Sequence, residues 1–168
     1  MPPEAGRRVA RAYADERDHR NVERLPGVET ALSACSDVPT EIVTNGSPGM
    51  QAEKLETIGL ADAFDVVVHA GYETPAKPDI APFEAALGAL SARPERSYHV
   101  GNSLRSDVAG ANGAGVRSVW LAGPETTERR RSEPDHVVSG LEALPDVLST
   151  EEPPDPNADG GHDRRWDI

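Results

Sequence analysis

The amino-acid sequence predicts an α/β fold built on a doubly wound parallel sheet, and three observations carry that prediction. Short apolar, β-branched runs alternate with helix-like stretches of about ten residues along most of the chain. The runs are continuous rather than alternating in polarity, as strands covered on both faces require. The length, 168 residues, suits one domain, since single cores usually span about 100 to 200 residues.

Residues 5 to 24 are charged and helix-friendly, with a thin apolar stripe of Val9, Ala12, Tyr13 and Val22 that needs something to pack on. Leu25-Pro26-Gly27 breaks this pattern, and Val28, Ala31, Leu32 and Cys35 then recur at helical spacing up to Asp37-Val38-Pro39. Glu41-Ile42-Val43 is the first strand; it ends in Thr44-Asn45-Gly46 and leads into a helix over residues 48 to 58, stopped by Gly59. The run from 65 to 70 is the second strand, closed by Gly71, and residues 79 to 91 form the next helix. Ser97-Tyr98-His99-Val100 ends at Gly101-Asn102, a helix over 107 to 114 follows, and Arg117–Leu121 is another strand. A short strand over His136–Val138 and a helix from 141 to 148 complete the alternation. The acidic segment from 149 to 168 combines Pro, Gly and charge with almost nothing to bury, so it is expected to be disordered, Trp166 included.

Composition narrows the function classes. Acidic residues outnumber basic ones by 29 to 17, a formal charge of −12. That field repels phosphate backbones and anionic lipid, so no nucleic-acid partner is expected. No apolar run approaches the roughly 20 residues of a membrane span, and the N-terminal residues lack the apolar core of a signal peptide, so no membrane association and a cytoplasmic location are expected. Lys54 and Lys77 stand against fifteen Arg, a pattern that fits either halophilic, high-salt adaptation or base-composition bias. Aromatic residues make up only 4% of the chain, which argues against a large aromatic-lined pocket. The single cysteine, Cys35, permits no internal disulfide, fits a reducing compartment, and is expected to be a small buried apolar residue.

In open parallel sheets, ligands sit at the carboxyl ends of the strands. Those positions hold Thr44, Asn45 and Gly46 after the first strand, Lys77 in the loop after the second, and Gly101-Asn102 with Asp107 after the third. A hydroxyl, an amide, backbone N–H groups beside glycine and an ammonium together suit a phosphate or oxyanion. Asn102 and Asp107 offer hard oxygens for magnesium. Each has a plainer alternative: Thr44-Asn45 as an ordinary turn or cap, Lys77 as a solvated charge, and Asp107 as the N-cap of the next helix. Convergence on one sheet edge is the argument for a site.

The order and spacing of IVTNGSPGMQAEKLETIGLADAFDVVV, KPDIAPFEAALGAL and YHVGNSLRSDVAGANGAGVRSVWL strongly resemble the haloacid dehalogenase superfamily, especially its phosphatase-like members with a helical cap. The resemblance implies a Rossmann-like core over residues 25–148, phosphoryl binding by Thr44 with Asn45 and Gly46, and a charge-neutralising role for Lys77. Thr44 and Lys77 thereby become the catalytic candidates. It further implies magnesium (Mg2+) binding by Asn102 and Asp107. Asn102 stands where most members have Asp, so that magnesium site is expected to be weakened or lost. Nothing matches the Asp-x-Asp nucleophile motif of the family's opening strand, because Asp15-Glu16-Arg17-Asp18 lies in a polar, helical stretch. Residues 1–24 instead resemble a remnant of the cap, and the opening strand is missing. In the family that strand lies between the strand ending at Thr44 and the strand ending at Asn102. These two are therefore expected not to pair, leaving a slot open to self-association or to a complementing N-terminal chain.

The resemblance implies a magnesium-dependent phosphatase acting on a small phosphorylated metabolite through an aspartyl-phosphate. Without the nucleophile, this chain is expected to be nearly inactive. A non-catalytic phosphate- or partner-binding relic is the main alternative. A response-regulator-like or nucleotide-binding module is a third, but it would need an acidic pocket near the N-terminus or a Gly-rich phosphate loop that the sequence lacks.

Overall fold

The computed structural model describes residues 21–123 and 132–149. Most of the expected cap remnant, residues 150–168 of the expected disordered tail and Trp166 lie outside the described residues, whereas Ser149, expected to begin that tail, ends a helix. The elements run α1 (Val28–Ala34), β1 (Glu41–Thr44), α2 (Pro48–Thr57), β2 (Val66–His69), α3 (Ala81–Leu90), a 3-10 turn (Pro94–Arg96) and β3 (Tyr98–Gly101). A π-helical turn (Leu104–Val108), α4 (Ala109–Gly113), β4 (Arg117–Leu121), β5 (His136–Val138), a second 3-10 turn (Leu141–Ala143) and α5 (Leu144–Ser149) follow. No helix among the described residues is long and apolar enough to cross a membrane.

Every paired strand is parallel, in keeping with the α/β class, but the sheet is split. β1 pairs with β2, with Glu41 opposite Val66 and Thr44 opposite His69. β3 pairs with β4, and β4 with β5. Among the described residues, no pairing joins β1 to β3. The direction of the remaining backbone groups follows from bonds at the strand ends. Asp65 N–H donates to the Thr40 carbonyl (2.9 Å) and Ala70 N–H to the Thr44 carbonyl (2.8 Å). Backbone groups alternate along a strand, so those of Glu41 and Val43 point away from β2. Arg117 N–H donates to the Ser97 carbonyl (3.1 Å), which by the same alternation turns Tyr98 and Val100 away from β4. Glu41, Val43 and Val100 border one cavity of about 510 Å³ lined by residues of β1 and β3.

The core is divided in the same way. Ala31, Val119, Val138 and Leu144 join α1 and α5 to one face of the three-stranded half, whereas Val43, Val68 and Ala86 pack α3 on the two-stranded half. Leu104, Val108 and Trp120 form another cluster, as do Phe83, Leu87, Ala111 and Val116. A domain of this size usually shows one contiguous core. Helix α3 does most of the bridging: besides packing on β1 and β2, its Phe83 lies edge-on to His99 of β3, with ring centroids 4.9 Å apart at 82°. It also meets α4 at Gly110, where an added Cβ would fall 2.4 Å from the Phe83 ring.

Two local expectations are corrected. The helix expected over 107 to 114 begins instead as a π-helical turn, in which Val108 N–H reaches back to the Ser103 carbonyl at 3.1 Å. Asp107 is thus not an N-cap. Cys35 is half-buried rather than buried; it borders the cavity, and burial pushes its thiol pKa up.

Candidate active site

Thr44 closes β1, and the chain reverses immediately afterwards because Gly46 N–H donates to Thr44 Oγ1 at 3.1 Å. Helix α2 then folds back over the strand end, and Gln51 Nε2 donates to the same oxygen at 2.8 Å. A hydroxyl accepting two hydrogen bonds still holds its own proton, so Thr44 is prepared to donate to an anion. Gly46 N–H is spent on Thr44, which makes Gly46 a turn-former. The Asn45 amide is likewise occupied: Oδ1 accepts from Lys77 N–H (2.9 Å), while Nδ2 donates to the Lys77 carbonyl (3.2 Å). This reciprocal pair ties the loop after β2 to the end of β1.

Clamped there, Lys77 turns its side chain inward until it is only 9% exposed. Its ammonium donates to the Val43 carbonyl at 2.5 Å and to Asp107 Oδ1 at 2.7 Å. An ammonium has three protons, so one remains for a ligand. Asp107 is held from several sides. Ser103 N–H donates to Oδ2 at 3.0 Å, and His99 Nε2 lies 3.6 Å from Oδ1, beyond hydrogen-bond length. Burial pushes the Asp107 pKa upward, but His99, Lys77 and the Ser103 N–H together outweigh it and hold the carboxyl well below the usual carboxylate range. Gly101 is required by this arrangement, since a Cβ there would fall 2.4 Å from the Asp107 side chain. The exposed Asn102 completes the rim; its carbonyl accepts from Trp120 Nε1 at 3.2 Å.

Thr44, Lys77, Asn102 and Asp107 therefore line one cavity, and Asn45 and Gly46 support it from behind. The residues present do not fit a magnesium ion by themselves. Magnesium requires near-octahedral oxygen coordination, whereas the hard-oxygen side chains here are Asn102 and an Asp107 already engaged by an ammonium and an amide N–H. Among the described residues, no group of three or more His, Cys, Asp or Glu is placed to hold a metal. Three contributors went unnoticed in the sequence. Gln51 carried no signal, being one polar residue in an exposed helix, while His99 within an apolar strand and Glu41 at a strand start were visible anomalies.

The known proteins this chain resembles share this architecture. The family model described as a haloacid dehalogenase-like hydrolase matches residues 4–115. A phosphoserine phosphatase from Thermus thermophilus is 36% identical over 141 residues, covering 83% of this chain and 56% of the relative. The crystal structure of a haloacid dehalogenase-type phosphatase from Thermococcus onnurineus superposes with a TM-score of 0.66 at 30% identity, over 75% of this chain and 58% of that one. A 2-haloacid dehalogenase from Pseudomonas syringae pv. Tomato gives 0.67 at 31%, over 77% and 54%. The chain spans about half the length of the curated relatives it matches. With most of its length matched by the family model and the same fold beneath it, the chain belongs to the haloacid dehalogenase-like hydrolase family.

Proposed function

We propose that this chain carries the phosphoryl-binding half of a phosphomonoester phosphatase site, acting on a small phosphorylated metabolite, and that by itself it turns over little or no substrate. One observation carries the reading: Lys77, with a spare ammonium proton, and Thr44, with an unspent hydroxyl proton, line the same cavity. Two donors, one cationic, suit the oxygens of a phosphoryl group and strengthen as negative charge develops on them. Asp107 acts through Lys77 by holding its ammonium. The phosphatases among the relatives support the substrate class. Low turnover follows from the carboxylates lining the cavity among the described residues. Asp107 has both oxygens engaged, and Glu41 stands at the opposite end of β1 from Thr44, so neither is placed to attack phosphorus. A magnesium-assisted step would need further oxygen ligands from outside these residues. The lone Cys35 and the lack of a membrane-spanning helix among the described residues fit a cytoplasmic setting.

The test is a phosphate titration followed by nuclear magnetic resonance, paired with p-nitrophenyl phosphate hydrolysis, both on the full chain in molar potassium chloride. Saturable phosphate shifts at Thr44 and Lys77, weakened in Thr44→Val, with hydrolysis near the uncatalysed rate, are the expected results. Vigorous hydrolysis by the chain alone would refute the half-site, and absence of phosphate binding would refute the phosphoryl assignment. A relic that binds a partner rather than phosphate is the second reading. The strand edges around the cavity that join no other strand among the described residues favour it.

A further inference from the structure

Helix α2 is held over the end of β1 without a buried residue of its own, and a cavity of about 160 Å³ lined by Gln51, Leu55, Val67 and His69 lies between it and β2. Its contact with Thr44 is polar instead: Gln51 Nε2 donates to Thr44 Oγ1 at 2.8 Å. The chain leaves room for that bond. Gly46 has a φ outside the left-handed region, so its turn would accept a side chain. A Cβ there would collide with the Gln51 amide, and this is what requires glycine. The bond also settles a direction. A threonine hydroxyl has one proton and two lone pairs, and here Gly46 N–H (3.1 Å) and Gln51 Nε2 fill both lone pairs. The same amide reversed would offer Oε1, take the proton, and leave Thr44 facing a phosphoryl oxygen with a lone pair.

We propose that Gln51 is a positioning residue of the phosphoryl site: its donation to Thr44 Oγ1 fixes that hydroxyl as a donor, so that Thr44 and Lys77 both offer protons to a tetrahedral anion. This role rests on the phosphoryl reading of Thr44 and Lys77, and it supplies the reason that the first acts with the second. A hydroxyl free to rotate must be ordered when the anion binds, and that ordering subtracts from affinity. A hydroxyl fixed the wrong way costs more, because it sets a lone pair against a negative oxygen. Lys77 needs no such help, since an ammonium carries donors only. Thr44 can attract or repel an anion, and residue 51 decides which. Gln51 therefore acts through Thr44, and its whole effect on binding passes through one oxygen.

The experiment titrates inorganic phosphate into the full chain at pH 8 in molar potassium chloride, followed by nuclear magnetic resonance. Four proteins are compared: wild type, Gln51→Glu, Thr44→Val and the double variant. A carboxylate at position 51 accepts the Thr44 proton, while molar salt limits its long-range repulsion of phosphate to a screening length of about 3 Å. Gln51→Glu should weaken phosphate binding about tenfold, which corresponds to about 1.4 kcal/mol. In the Thr44→Val background the same change should cost about twofold at most, because the hydroxyl it acts through is gone. The Gly46 amide proton, which shares that oxygen, gives a second readout that needs no phosphate. It should move downfield in Gln51→Glu, since an oxygen that gives its proton to a carboxylate becomes the stronger acceptor. Should Gln51→Glu fail to fold, Gln51→Met, which neither donates nor accepts, should weaken binding about threefold with Thr44 present and leave it unchanged in Thr44→Val. Equal weakening in both backgrounds, as loss of a merely structural tie would give, or an unmoved Gly46 amide, would overturn the role of Gln51 and leave the phosphoryl site standing. A wild-type chain that binds no phosphate would overturn the phosphoryl reading and this role together.

Discussion

Replacing Lys77 by Met removes the charge that Asp107 was folded around. The two side chains are 9% and 10% exposed and meet at 2.7 Å, so the variant leaves a carboxylate in a poorly hydrated place with only the Ser103 N–H and the more distant His99. Breaking a buried pair from one side typically costs about 3 to 5 kcal/mol. The lower end applies here because the cavity beside the pair can admit water. Asp107→Asn should also cost stability, as it leaves the buried ammonium with neutral oxygen acceptors and no counter-charge. The double variant should cost less than the summed single losses by about 1 to 3 kcal/mol, as expected for directly coupled groups. The pH dependence is a second signature. The Asp107 pKa is depressed on folding, so the carboxylate contributes stability at pH values above its unfolded value of 3.8, and that contribution is lost as pH falls through the lower folded value. The gap between wild type and Lys77→Met should therefore narrow once the pH drops below about 4. Urea unfolding followed by circular dichroism, in molar potassium chloride from pH 3 to 8 on all four proteins, measures both. Additivity within about 0.5 kcal/mol, or a gap unchanged over that range, would refute the coupling.

Burial pushes the Glu41 carboxyl up to about 7 from 4.5, so the folded state holds a proton that the unfolded state releases, and stability should fall as pH rises from 4.5 to about 7. Glu41→Gln should remove that fall, leaving the variant near wild type at pH 5 and more stable at pH 8 by on the order of 1 kcal/mol, a figure reduced for the residual solvent around the group; an equal difference at both pH values would contradict this. The net charge of −12 predicts a melting temperature that rises with potassium chloride as the screening length shrinks from about 10 Å at 0.1 M to about 3 Å at 1 M. A flat or falling melting temperature would argue against salt dependence.

The alternation of elements was legible because it depends on local periodicity. Val28, Ala31 and Leu32 mark the inner side of α1 at helical spacing, and unbroken apolar runs such as Val66-Val67-Val68 can be only fully covered strands or core helix, with Gly71 and Gly101 setting their length. The candidate residues were legible for a related reason, since parallel strands bring their carboxyl ends to one edge whatever the loops do. Which groups at that edge remain free was decided by the tertiary structure. The Asn45 amide and Gly46 N–H look as available in the sequence as Thr44 does, yet one clamps Lys77 and the other bonds Thr44. The π-helical turn that aims Asp107 at Lys77 also lies beyond local reading, because it depends on Gly101 leaving space for the carboxylate and on Ser103 bonding it. Glu41 is the sharpest case. As one acidic residue at the head of a strand it would ordinarily be solvated, and only the meeting of α1, β1 and β3 around one cavity leaves its carboxyl oxygen buried without a partner among the described residues. Periodicity and chain direction are properties of neighbouring residues, but desolvation and hydrogen-bond availability are set by groups that folding brings together from distant parts of the chain.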